Sequence, residues 1–318
     1  MSSQGISWTN TTWNPIVGCS KVSAGCDHCW AERMARLHYH KYFPNGWTGE
    51  VELFTERLGW PNHKRKPIRI AVGLMGDLFH DAVPFDFLDL LWATMGCCEA
   101  PDLRHLTFQI LTKRPKRMLE YARHRAESGM VFDLPNLWVG VSCENQAAAD
   151  ERIPLLLQTP AAVRFVSCEP LLGSINLTDL PVPGNDRGFS FNALTDIDDE
   201  HFYNVHAKLD WVICGGESGP GARPMHPEWI RSLRDQCQAV CVPFHFKQWG
   251  EWSEVVWIDR NIKPVLNISV PTQNAIGKNT KEMIWSGFAP CNMRRVGKKA
   301  AGRLLDGREW LEFPEAKA

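Results

Sequence analysis

Residues 137–170 read LWVGVSCENQAAADERIPLLLQTPAAVRFVSCEP, and their pattern decides the fold class. Two short apolar runs, Leu137–Val141 and Val163–Val166, flank a stretch of helical character, Gln146–Gln158. Neither run alternates apolar with polar residues. A strand that is apolar on both sides is buried on both sides, as in a parallel sheet covered by helices. Strand, helix and strand in this order form a right-handed βαβ crossover.

The same rhythm recurs on either side. Further strand candidates are Thr12–Val17, Ile68–Leu74, Leu106–Leu111, Leu209–Ile213 and Pro243–Phe246. Helical stretches fall at Cys29–His40, Phe85–Met95, Lys116–Arg125 and Pro227–Val240. Such repetition predicts an α/β fold: a complete or partial TIM-type (β/α) barrel with parallel strands and a C-terminal extension. A doubly wound open sheet is the alternative. The barrel domain is expected over residues 1–251 and the extension, packed on the barrel, over 252–318. Residues 176–208, rich in Asp, Asn, Gly and Pro, are too long for an ordinary connection and predict a lid, an inserted hairpin or a mobile loop. Arg294–Asp306 has the composition of a basic helix.

Composition narrows the class. A chain of 318 residues with 44% hydrophobic and 22% charged residues buries a large core, which excludes whole-chain disorder. No apolar run approaches the roughly 18 residues of a membrane helix, and the start MSSQGISWTN is neither basic nor apolar. The expectation is a soluble, unexported, cytoplasmic protein without membrane contact. A net charge of −1 excludes a globally basic nucleic-acid binder but not a local basic patch. Fourteen tryptophans suit flat aromatic surfaces in or around a pocket.

Barrel enzymes place their chemistry where strands end at the C-terminal face. The candidate strands here run into Gly76-Asp77, Lys113-Arg114, Ser142-Cys143-Glu144-Asn145, Glu169-Pro170, Glu217-Ser218 and Lys247-Gln248-Trp249. Turn chemistry accounts for the small residues. It does not account for the charges, which are costly beside buried strands unless they are used. Glu169, Glu217 and Lys247 are the catalytic candidates; Lys113, Arg114, Gln248 and Trp249 are the substrate candidates. The run GGESGPG around Glu217 lacks the spacing of a nucleotide-binding loop.

Eleven cysteines, an odd number, argue against a disulfide framework in an unexported chain. Cys143, Cys168 and Cys214 end apolar runs and read as core residues. Cys19, Cys26 and Cys29 differ, because they form C-x6-C-x2-C in the loop after the first strand. Three thiolates suit zinc with a fourth ligand such as His38 or His40, or an iron–sulfur cluster that needs no fourth residue.

The longer strings carry a resemblance: TTWNPIVGCSKVSAGCDHCWAERMA, GLMGDLF, FQILTKRP, WVGVSCENQ, FVSCEPLLG, ICGGESGPGARPMHPEWIRSLRDQC, FKQWGEW and VGKKAAGRLLDGREW. The cysteine loop on a parallel barrel resembles that of radical S-adenosylmethionine enzymes, whose usual pattern is C-x3-C-x2-C; here the first gap is six. The whole is similar to phage-associated three-Cys-motif proteins, a domain of unknown function. The resemblance implies that Cys19, Cys26 and Cys29 hold a [4Fe–4S] cluster. It implies that S-adenosyl-L-methionine binds the cluster and yields a 5′-deoxyadenosyl radical for hydrogen abstraction, in a lyase, isomerase or transferase reaction. An electron donor such as flavodoxin or ferredoxin is then a partner. Gly76 and Asp77 would meet the cofactor's amino group, Ser142, Glu144 or Asn145 its ribose or carboxylate, and His28 its adenine. Basic residues, many tryptophans and the phage association point to a nucleotide or nucleic-acid base as substrate.

Two other classes stay open at this level. One is a zinc-stabilised nucleic-acid-binding protein without catalysis, which leaves the strand-end charges unexplained. The other is a metal-dependent nuclease or lyase on a barrel, which leaves the cysteine triplet idle. The sequence is silent on oligomeric state.

Overall fold

The computed structural model describes residues 6–98, 105–184, 188–196, 207–255, 280–283, 288 and 291–315. Seven strands lie side by side in chain order. They are β1 (Thr11–Trp13), β2 (Ile68–Val72), β3 (Leu106–Thr112), β4 (Leu137–Ser142), β5 (Val163–Cys168), β6 (Trp211–Gly215) and β7 (Phe244–Gln248). Every neighbouring pair is parallel. Between them run α1 (Trp30–His38), α2 (Phe85–Cys97), α3 (Pro115–Glu127), α4 (Gln146–Gln158) and α5 (Pro227–Ala239). The fold is mixed α/β, and the sheet curls into a half-barrel, consistent with a partial TIM-type barrel. The helix starts follow their local chemistry. Pro115 and Pro227 open α3 and α5, where a missing N–H costs nothing, and the Asn145 side chain accepts from Ala148 N at 3.0 Å to cap α4.

The two sides of the sheet bury different things. Its convex side packs the apolar stripes of the helices in the larger core, with Leu88, Leu91, Tyr121, Ile153 and Ile230 against Ile70, Phe108, Val139 and Val166. Its concave side is filled by aromatic residues. Trp138, Phe165 and Trp211 meet Ile6 and Trp8 from the N-terminal segment. Phe313 from the C-terminal segment packs its ring, tilted by 39°, against Trp211 at 5.0 Å, and the Arg69 guanidinium lies 4.0 Å from the Phe313 ring. Both ends of the described chain thus fill the half-barrel. Among the described residues most tryptophans are packing residues, while Trp8, Trp30 and Trp47 line the cavities described below.

Gly140 shows how tightly the lumen is filled. A Cβ there would stand 2.6 Å from both the Phe165 ring and the Phe165 carbonyl oxygen. We predict that Gly140→Ala destabilises the protein by about 1–3 kcal/mol, since overpacking a full interior forces neighbours off their rotamers. Thermal unfolding measures it; an unchanged midpoint refutes this packing.

Two expectations are corrected, and the 176–208 insertion takes one of its three expected forms. The first strand candidate, Thr12–Val17, is split at Asn14-Pro15. Proline cannot donate to a ladder, and the Asn14 side chain instead accepts from Met75 N at 3.1 Å. Ile16–Val17 then pairs antiparallel with Glu52–Leu53. Within residues 176–208, Leu180–Pro181 pairs with Ser190–Phe191, which is an inserted hairpin; residues 185–187 and 197–206 lie outside the described residues. The basic helix over Arg294–Asp306 shrinks to Lys298–Ala301. It is bounded by Gly297 and Gly302, both at positive φ, while Cys291–Arg295 is the middle strand of an antiparallel sheet with Trp252–Val255 and Thr280–Met283. This tail touches the barrel where Trp249 Nε1 donates to Leu304 O at 2.8 Å and where Leu311 bridges His245. Among the described residues no helix is long and apolar enough to cross a membrane.

Candidate functional site

The cysteine loop crosses the mouth of the half-barrel. Gly18, at φ +108°, makes the turn that enters it; a Cβ there would lie 2.3 Å from Glu50 O. One 3-10 turn, Ala24–Cys26, follows, and Cys29 stands at the start of α1. Cys19 is buried, and Cys26 and Cys29 are half-buried. All three line one cavity of about 140 Å³.

Two arginines tie this loop down. Arg114, at the head of α3, donates from Nη1 to Cys19 Sγ at 3.3 Å and to the Asp77 carboxylate at 3.2 Å. Its Nη2 donates to the Ser20 carbonyl at 3.0 Å and the Ser20 hydroxyl at 2.9 Å. On the other side, Arg223 donates to Ala24 O at 2.8 Å, to Asp27 Oδ2 at 3.1 Å and to both Glu217 oxygens at 2.7 and 3.0 Å. Glu217 also bonds His28 Nδ1 at 3.0 Å. Beneath the loop, a Cβ added at Gly25 would meet Glu144 Oε2 at 3.1 Å and Lys113 Cε at 3.3 Å.

The electrostatics follow from this packing. Burial pushes the Cys19 thiol up to about 11; Asp77 adds to this and Arg114 opposes it. Burial also raises Cys29, against the pull of Lys113. Burial would raise the Glu217 carboxyl, but the hydrogen bonds from Arg223 and His28 outweigh it and hold that carboxyl below the ordinary range. Asp77 spends its oxygens inside the protein, on Thr112 Oγ1 (2.7 Å), Phe79 N, Lys113 N and Arg114.

A second, central cavity of about 230 Å³ adjoins the first and shares Cys29, Ala31, Leu74 and Lys113 with it. Ile6 and Trp8 are among its apolar lining, and Glu169, Glu217, Lys247 and Gln248 reach it from three strand ends. Lys247 Nζ pairs with Glu169 at 2.8 Å, and Gln248 Nε2 lies 3.4 Å from the same carboxylate. The backbone makes room at Gly216, where a Cβ would stand 2.0 Å from Trp249 O.

Most residues singled out from the sequence meet here. Cys19, Cys26, Cys29, Gly76, Asp77, Lys113, Arg114 and Ser142 line the first cavity; His28, Cys29, Lys113, Glu169, Glu217, Lys247 and Gln248 line the second. Three others line neither cavity. Asn145 caps α4, Glu144 is buried against Arg152 at 3.0 Å, and Trp249 is buried with its indole on Leu304. Gly76 packs so closely on Gly18 that a Cβ would lie 2.7 Å from its carbonyl oxygen. His38 and His40, the candidates for a fourth zinc ligand, are exposed and line neither cavity. Sequence reasoning missed Arg223, Trp8 and Trp30 as site residues, and it left the basic tail cluster that holds Lys298 unplaced. Arg223 stands six residues beyond Glu217 in the same glycine-rich run, a signal that was available.

Among the described residues no three His, Cys, Asp or Glu side chains stand close enough together to grip a metal ion at one point. The donor set nonetheless suits a thiolate-bound group: three thiols around one cavity, with Lys113 and Arg114 beside them to offset thiolate charge.

Comparisons with curated proteins and with solved structures gave no match. A family profile matches residues 3–314, and the chain therefore belongs to the family described as "Protein of unknown function (DUF5131)", a description that states no activity, cofactor or host.

Proposed function

We propose that this chain is a radical S-adenosyl-L-methionine enzyme whose [4Fe–4S] cluster is held by Cys19, Cys26 and Cys29. The observation that carries the reading is the convergence of these thiols on one cavity, beside two cationic side chains, at the strand-end mouth of a half-barrel. Bound there, and reduced by a donor of flavodoxin or ferredoxin type, the cluster and S-adenosylmethionine supply a radical that abstracts hydrogen from substrate.

The chain's own residues do the rest. Arg114 and Arg223 hold the loop from both ends. Glu217 acts through Arg223 and His28 rather than by presenting a free carboxylate, which makes it a positioning residue. Lys113 faces both cavities, and its ammonium makes no ion pair among the described residues, so it is available to an anionic group. The Glu169–Lys247 pair presents both signs to the central cavity, as a ligand with amino and carboxylate groups requires.

Anaerobic reconstitution with iron and sulfide tests the reading. We expect brown protein with about four irons per chain and broad absorption near ~400 nm. Colourless protein carrying one zinc per chain overturns it.

A further inference from the structure

At Lys247, Gln248 and Lys298 the central cavity adjoins an outer groove of about 470 Å³, which Lys299 and Arg303 also line. From the cysteines to Arg303 the cavities are neighbours in series: the first two share Lys113, and the last two share Lys247 and Lys298.

The charges along this series do not cancel. The two carboxylates of the central cavity are committed, Glu169 to Lys247 and Glu217 to Arg223 and His28. Arg303 is paired with Glu309 at 2.8 Å. Lys113, Lys298 and Lys299 make no ion pair among the described residues. Partial burial and the neighbouring Lys247 ammonium hold Lys298 below the ordinary lysine value. Lys247 is already neutralised by Glu169, so the surplus positive charge facing the groove is that of Lys298 and Lys299. The central cavity carries two indoles among its charged lining, Trp8, 3% exposed, and Trp30, 40% exposed, beside Cys29.

We infer that the groove at Lys247, Lys298 and Lys299 is a phosphate subsite, and that the ligand is a nucleotide whose base reaches inward between Trp30 and Trp8. Phosphate is matched by the surplus of lysines, and a flat base by the two indoles. Only in calling this nucleotide the substrate does the inference rest on the proposed radical chemistry; the binding itself is independent of it. Free nucleotides and single-stranded nucleic acid present the same phosphate.

Equilibrium titrations on reconstituted protein decide it, using a nucleoside 5′-monophosphate, the matching nucleoside, and a single-stranded oligonucleotide. The expected result is that the monophosphate binds at least about tenfold tighter than the nucleoside. Lys298→Ala with Lys299→Ala is expected to remove about that factor for the monophosphate and nothing for the nucleoside. Both lysines keep much of their side chains in solvent, and retained iron content checks the fold of the variant. Tighter binding of the oligonucleotide, with log K falling by about 0.7 per contacted phosphate against log salt, makes a strand the source; tighter binding of the monophosphate makes it a free nucleotide. Equal affinity of the double variant and the native chain for the monophosphate overturns the inference. So does equal loss of S-adenosylmethionine affinity, which would assign the lysines to the cofactor's carboxylate. Phosphate-dependent binding by protein that takes up no iron overturns the cluster and leaves this subsite standing; iron uptake without phosphate-dependent binding overturns the subsite alone.

Discussion

Cys26→Ala is expected to abolish iron incorporation on reconstitution, as are Cys19→Ala and Cys29→Ala, whereas Cys143→Ala is expected to retain the iron content of the native chain. The three thiols of the loop line one cavity, and each is assigned one iron. Cys143 lies instead in the core, fully buried, its thiol held in the protonated form by burial and donating to Ala148 O at 3.6 Å. Its loss removes packing and no ligand, at a cost of about 1 kcal/mol, set by the small cavity left behind. Colorimetric iron measured on the four variants side by side is the test. Iron loss in Cys143→Ala equal to that in Cys26→Ala shows that the loop is not the holder.

Arg152→Met is expected to be the most damaging single substitution away from the loop. Arg152 and Glu144 are 4% and 3% exposed, paired at 3.0 Å, and Arg152 also donates to Ser142 O at 2.7 Å. Removing the guanidinium strands a buried carboxylate, which costs about 3–5 kcal/mol, or a fall of about 4–8 °C in midpoint for a chain of this size. The double variant Arg152→Met with Glu144→Gln removes both charges and is expected to recover much of the loss, because the single-variant cost is that of an unpaired charge.

The pH dependence has a definite sign. Burial alone would raise the Glu144 carboxyl, but the nearby Ser23 hydroxyl and Arg152 outweigh it and hold the carboxyl below the ordinary range. The unfolded chain therefore takes up the proton first as pH falls. The stability this carboxylate contributes is fully present above about pH 4.3 and is lost as pH drops through the folded-state value. In Arg152→Met the buried carboxyl is easier to protonate, so its deficit narrows in acid. Thermal unfolding between neutral pH and about pH 4 tests both statements, and a deficit that stays constant across that range refutes the pairing.

The sheet was legible because its signal is local. Gln146–Gln158 is a helix with the bounds read from the sequence, and β4 and β5 start at Leu137 and Val163 as expected, since apolar periodicity and an Asn cap act over a few residues. The first strand was misread because Pro15 interrupts an apolar run without changing its hydrophobicity. Arg294–Asp306 was misread because charge and alanine content suit a helix, while Gly297 and Gly302 confine it to four residues.

The candidate site divides on the same line. By itself the sequence determined that charged residues follow buried strands, and it determined which three cysteines share a loop, because both are matters of order along the chain. Only the tertiary structure decided which of those charges are free. Asp77 is consumed by Thr112 and Arg114, Glu144 by Arg152 and Glu217 by Arg223, leaving Lys113 and Lys298 as the cations of the central cavity without an ion pair among the described residues. Lys298 arrives from a tail that breaks the βα rhythm, and Trp8 from ahead of the first strand. Contacts between such distant segments depend on how the half-barrel is filled, and no local period records that.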